Sequence, residues 1–240
     1  MSNVLEVRGL TAQRGGRTVL NGVDLVVPAG SIVAMLGANG AGKSSLVMTL
    51  AGLIDGAKGE VSLEGKRIDG LTPLERRRAG LAIVAEGHQV LPGVTVHDNI
   101  AAAALSLPRA LAAERIEEAV EMFPELRERM SVEAQRLSGG QKQMVNIAQA
   151  LVIRPKVLLV DELSLGLAPA VVQRLGNMLR DIAAQGVGVL LIEQFTTLAL
   201  SLAQTAYVME RGNLIFSGTS QALRDDPSIL HGAYLASGTH

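Results

Sequence analysis

Lys43 and Ser44 close the run Gly37-Ala38-Asn39-Gly40-Ala41-Gly42-Lys43-Ser44. The run has the phosphate-binding spacing G-x-x-x-x-G-K-[ST], with a further glycine at position 40. Glycine lets the main chain fold close around an anion with no Cβ in the way. At this spacing Lys43 reaches the β- and γ-phosphates of a nucleotide, and the Ser44 hydroxyl ligates Mg²⁺. Gly37, Asn39, Gly40, Ala41, Gly42 and Ser45 complete the cradle. Ser31-Ile32-Val33-Ala34-Met35-Leu36 before the loop reads as a short buried strand. The residues from Ser44 to Leu50 read as a helix, with Leu46 and Leu50 on one face. Strand, loop and helix together aim backbone N–H groups and a helix N-terminus at one place, which suits a polyphosphate.

A second group with chemistry ends the apolar run Val157-Leu158-Leu159-Val160, where Asp161 and Glu162 follow. In P-loop NTPases the aspartate after such a strand serves Mg²⁺, and a following glutamate can take a proton from the attacking water. Acidic strand ends are common, so the pair gains its meaning from the glycine loop. A third group is Leu137-Ser138-Gly139-Gly140-Gln141, ahead of a helical run from Gln141 to Val152. It offers a second helix N-terminus to an anion. One chain needs one γ-phosphate site, so the economical reading is that this terminus serves the nucleotide of another copy.

The composition bounds the rest. The chain has 240 residues, 48% hydrophobic and 19% charged, which describes a globular chain of one large domain or one and a half. A net charge of −1 argues against a bulk electrostatic role on nucleic acid. There is no cysteine, hence no disulfide frame and no thiol chemistry. The start carries no secretory signal, and no run approaches the ~18–20 apolar residues that cross a bilayer, so membrane association requires a partner. Aromatic residues are 2%, which predicts a core of Leu, Val, Ala and Ile.

Strands are predicted at residues 4–9, 19–28, 59–65 and 81–85, and a short helix at 73–78. From about Glu86 to Arg136 alanine- and glutamate-rich helical patterns replace them, at 95–104 and 108–123. Strand texture resumes at Val157, with a helix from Pro169, a strand at 187–192 and a helix at 196–202. A hairpin follows, 206–209 and 214–216, turning at Arg211-Gly212-Asn213. Met144, Met178 and Met209 read as core filler. His88 and His97 lack metal-type spacing and read as ordinary surface or interface residues.

On these motifs the chain resembles the ABC ATPases over essentially its whole length. The glycine loop, Leu137–Gln141 and Asp161-Glu162 look like their Walker A, signature and Walker B motifs. Glu86-Gly87, Ser164-Leu165-Gly166-Leu167-Ala168-Pro169 and the ending Ala233-Tyr234-Leu235 narrow the resemblance. They point to the shorter ATP-binding subunit of branched-chain amino acid importers and to related urea and amide importers. The resemblance implies an α/β P-loop NTPase domain over residues 1–240. Its core and antiparallel β subdomain would be 1–85 and 137–240, and its helical signature subdomain about 86–136. It also implies two such subunits sandwiching two ATP molecules head to tail, each Walker A facing the other's signature, with closure and hydrolysis driving membrane subunits. Such a subunit is cytoplasmic, peripheral on the inner face of the plasma membrane, and does not bind nucleic acid.

Carried over by residue, Glu162 is the general base, Lys43 binds phosphate, and Ser44 and Asp161 serve Mg²⁺. Ser138, Gly139, Gly140 and Gln141 close on the partner's γ-phosphate. The segment from Glu86 to about Leu105 faces a permease. Glu86 stands where most relatives have a glutamine that serves Mg²⁺ or the lytic water. Gln194 stands at a histidine position and can hydrogen-bond a γ-phosphate without becoming charged. Both look like what the branched-chain subfamily carries, as does Ala168 in place of an aspartate. Arg14 occupies the place of an aromatic ring against adenine. It either stacks on the base through its guanidinium or is simply solvated. Gln149 replaces an arginine after the signature. Leu163 replaces the usual proline after Glu162 and is expected to loosen the backbone that holds the base. Two other readings stay open: a nucleotide-switched interaction module outside transport, and a subunit that holds ATP but scarcely turns it over. The tandem domains, long coiled coils or basic extensions usual in the former are not seen here. The solute and the direction of transport are not written in the fold or motifs.

Overall fold

Short runs of Val, Leu, Ile and Ala that do not alternate with polar residues belong in strands covered on both faces. The computed structural model, which describes residues 2–87 and 89–230, places them so. The chain begins with β1 (Asn3–Arg14), β2 (Arg17–Pro28) and β3 (Ile32–Leu36), then α1 (Lys43–Leu50), β4 (Lys58–Leu63) and β5 (Lys66–Arg67). α2 (Pro73–Ala79) and β6 (Leu81–Val84) lead into α3 (Val96–Ala104), α4 (Arg109–Glu121), α5 (Pro124–Arg127) and a 3-10 turn at Ala134–Arg136. Then come α6 (Gly139–Leu151), β7 (Val157–Asp161), α7 (Pro169–Ala184), β8 (Gly188–Glu193) and α8 (Thr196–Leu202). β9 (Thr205–Glu210), β10 (Asn213–Thr219) and α9 (Ser220–Asp225) complete the described chain.

The strands form an antiparallel sheet in the order β2-β1-β4-β5 and a six-stranded sheet in the order β10-β9-β3-β8-β7-β6. All neighbours in the second sheet are parallel except β9 and β10. Because successive side chains point to opposite faces, each central strand feeds two cores. Ile32, Ala34 and Leu36, with Leu158 and Val160 and with Val189 and Leu191, pack under α3, α4, α6, α7 and α8. Val33 and Met35, with Val157 and Leu159 and with Leu190 and Ile192, pack with α1 and the antiparallel sheet. The methionines at 144, 178 and 209 are all buried, as expected of filler.

The predicted strands and helices fall on observed elements to within a few residues. β5, α5 and α9 were not legible, because two residues or one or two turns carry no period. Between β6 and β7 there is no strand among the described residues, only an isolated bridge from Thr95 to Glu133. The loop after Glu86 is held from its far end by Asn99, which is fully buried. Its amide donates to the carbonyls of Leu91, Val94 and Thr95 and accepts from the Leu91 N–H. α6 reaches the same region: Asn146 donates to the Ala85 carbonyl at 3.2 Å and Gln149 to the Asn99 carbonyl at 3.0 Å. Arg76 on α2 donates to the carbonyls of Thr49 and Leu50, so a cation sits at the C-terminus of α1, where the helix dipole favours it. His88 and the predicted ending at 233–235 lie outside the described residues.

Candidate active site

β3 delivers the chain to the glycine loop and α1 takes it away, so the loop sits at the C-terminal edge of the parallel sheet. Gly37 has φ 151° and Gly42 φ 111°, and each is pressed against main chain. A Cβ on Gly37 would lie 2.3 Å from the Met209 carbonyl, and one on Gly42 2.8 Å from the Val19 carbonyl. Both glycines are therefore required for packing as well as for turning.

The loop borders a cavity of about 600 Å³, in the range of nucleotide-sized sites. Asn39, Gly40, Gly42, Lys43, Ser44 and Ser45 line it on one side, and Glu86, Glu162, Leu165 and Gln194 on the other. Gly37 and Ala41 are not among the lining residues, and Ala41 is buried behind the loop. Arg14 does not line the cavity either. Arg17, its ladder partner across the Gly15-Gly16 turn, does so together with Thr18, Val19, Arg211 and Gly212. Ser138, Gly139, Gly140 and Gln141 are likewise absent from the lining. They form a capping box at the start of α6: the Ser138 Oγ accepts the Gln141 N–H at 3.3 Å, and the Ser138 N–H donates to the Gln141 side chain at 3.0 Å.

Four carboxylates act on the charge of one ammonium. Lys43 is buried and donates to the carbonyls of Gly37 at 2.7 Å and Ala38 at 3.0 Å, which leaves its third proton for a further acceptor. Burial lowers its pKa, while Glu162, Asp161, Glu193 and Glu86 pull the other way. Asp161 ends β7 on the face shared with Val157 and Leu159, which is the α1 face. Its carboxylate there accepts a hydrogen bond from Ser44. Burial pushes the Asp161 carboxyl up to about 6; the Ser44 bond and Lys43 oppose this, and Glu162 and Glu86 add to it. Its Oδ1 is buried and has no hydrogen-bond partner. An orphaned buried carboxylate oxygen near a hydroxyl suits a hard cation such as Mg²⁺, whose ligands are oxygens. No group of three or more His, Cys, Asp or Glu among the described residues can hold a metal alone. An ion here would have to share its coordination with phosphate and water, as Mg²⁺ commonly does.

Glu162 follows at φ 53°, a left-handed conformation, with its N–H donated to the Ile192 carbonyl at 3.0 Å. Burial, then Glu86, raises its pKa, which makes it a stronger base than a free glutamate. The backbone here is not loose. Leu163 is buried, and Ser164 donates through both N–H and Oγ–H to the Glu193 carboxylate. That corrects the expectation drawn from the missing proline: hydrogen bonds supply the hold a ring would have given. His97 is exposed and pairs with Asp98 at 3.0 Å. Sequence reasoning missed Arg17, Arg211, Leu165 and Glu193. Their roles depend on which strand ends meet, and only Glu193, ending an apolar strand as Asp161 does, carried a local signal.

The ABC transporter family matches residues 20–164. The high-affinity branched-chain amino acid transport ATP-binding protein BraG of Pseudomonas aeruginosa is 39% identical over 90% of this chain and 92% of its own. A lipopolysaccharide export system ATP-binding protein, LptB of Acidithiobacillus ferridurans, is 31% identical over 95% of each. Among solved structures, an ATP-binding cassette of an ABC transporter in its ADP conformation superposes with a TM-score of 0.85 at 26% identity, covering 100% of both chains.

Proposed function

Since the chain belongs to the ABC transporter family and is the ATP-binding, ATP-hydrolysing subunit of a transporter, we propose that it energises an importer of branched-chain amino acids. The observation that carries the mechanism is the division of the motifs. Lys43, Ser44, Glu86, Glu162 and Gln194 share one cavity, while the capped N-terminus at Ser138 does not line it. That division supports a pair of subunits in which each signature completes the other's site.

The loop amides and Lys43 hold the phosphates, and Gln194 donates toward the γ-phosphate. Ser44 and the Asp161 carboxylate would hold Mg²⁺, which would supply positive charge to offset that of the phosphates. Glu162 takes a proton from water as the water oxygen bonds to the γ-phosphorus. The bond from that phosphorus to the bridging oxygen breaks, and its electron pair leaves with ADP. The segment from Glu86 to about Leu105 docks the permease, and exposed Leu91 and Leu105 provide apolar surface for it. No helix among the described residues is long and apolar enough to cross a membrane. The identity to BraG supports the solute assignment. The export relative covers as much of the chain, so direction rests on that identity alone.

The test is Mg²⁺-dependent ATP hydrolysis by wild type and Glu162→Gln, in isolation and with the membrane subunits, beside gel filtration with ATP. The variant is expected to lose about 10²–10⁴-fold in kcat, the usual contribution of a general base. It is also expected to elute as an ATP-bound dimer. Equal turnover by both proteins removes Glu162 from the base role, and a variant that stays monomeric with ATP removes the paired site.

A further inference from the structure

Two carboxylates are buried among the described residues, Asp161 and Glu193, and the hydrolytic scheme uses only the first. Glu193 is 1% exposed. Burying a carboxylate is costly unless its oxygens are satisfied, and here they are satisfied by a single turn. The period of β8 sends Val189, Leu191 and Glu193 to the helical face of the parallel sheet, while Leu190 and Ile192 face α1. On the helical face Glu193 accepts the Ser164 N–H at 3.1 Å and the Ser164 hydroxyl at 2.8 Å, and the Leu163 backbone bonds to it as well. Leu163 has an N–H to give only because it is not proline.

Just upstream, Glu162 is held at φ 53°, a left-handed conformation that costs a non-glycine residue free energy and persists only where its surroundings hold it. Its N–H is held by Ile192, the neighbour of Glu193. The turn 162–164 is thus fastened to the end of β8 at successive residues. The residue after Glu193 is Gln194, which lines the cavity, as does Leu165 beyond the turn.

We propose that Glu193 is a positioning residue for hydrolysis: its carboxylate clamps the turn 162–164 to the end of β8 and so keeps Glu162 and Gln194 in fixed relation across the cavity. The inference rests on the hydrolytic reading of the site. Glutamine at 193 keeps a carbonyl oxygen for the N–H groups and an NH₂ for the Ser164 Oγ, whereas alanine keeps nothing.

Glu193→Ala is expected to lower kcat about 10- to 100-fold, the scale of a small misplacement of a reacting group, with the KM for ATP within about threefold of wild type. Glu193→Gln is expected to retain most of the wild-type kcat. Ser164→Ala added to Glu193→Ala is expected to cost nothing further, as for partners in one interaction. Wild-type kcat in Glu193→Ala, or equal damage in Glu193→Gln, overturns the proposal. Hydrogen exchange at the amides of residues 162–164, measured on the full chain without nucleotide, needs no turnover. It is expected to quicken in Glu193→Ala and not in Glu193→Gln, and unchanged exchange in Glu193→Ala also overturns the clamp. A wild type that binds ATP without hydrolysing it alone or with membrane subunits refutes the hydrolytic reading instead, and the exchange result then decides the clamp by itself.

Discussion

At Asp161 stability and chemistry pull apart. Its carboxyl is raised to about 6, chiefly by burial, whereas in the unfolded chain it titrates near 4. Between those values the native state binds more protons than the unfolded one, so stability falls as pH rises through about 4 to 6 and stays lower above. Asp161→Asn removes the penalty. Without nucleotide at pH 8, thermal or urea unfolding is expected to show the variant more stable by about 1–3 kcal/mol, the gain shrinking toward pH 5. Hydrolysis is expected to be lost. A variant less stable than wild type at pH 8 contradicts this account of the site. Much of the site was legible residue by residue, because glycine spacing and acidic strand ends are local. The Arg14 and Arg17 pair was not. These residues face each other across a hairpin and so share one face of the sheet, and nothing in the local sequence tells which guanidinium reaches the cavity.

Among the elements, α6 shows a constraint hidden behind a motif. Gly140 reads in the sequence as a backbone donor to an anion. In the fold it also lies against α7, where an added Cβ would sit 2.5 Å from a methyl of Val171. Gly140→Ala must displace Val171 or the start of α6, at a cost of about 1–3 kcal/mol in unfolding free energy. Gly140→Ala with Val171→Ala is expected to recover most of that loss by calorimetry, whereas a merely local helix effect would show no recovery. Gln149, a departure in sequence, acts at this scale too, as a hydrogen-bonded tie from α6 to Asn99 on α3.

For the molecule as a whole, the sequence displayed its layers because the central strands lie between two cores and so lack polar positions. The pairing order did not show, since β7 and β8 reach β3 only through crossovers. Asn99 connects these scales. Asn99→Ala strands the carbonyls of Leu91, Val94 and Thr95 and frees the loop that follows Glu86. ATP turnover of the isolated chain is expected to stay within about threefold, while stimulation by reconstituted membrane subunits falls. An unchanged stimulation would place the docking surface elsewhere. β6 and β7 lie side by side, Leu81 opposite Val157 and Val84 opposite Val160. The chain between them therefore leaves the sheet and returns through one doorway. Helices hung there can lengthen, shorten or change their outward surface without altering the distance from Lys43 to Asp161. One engine block can in this way be fitted to many different transmissions.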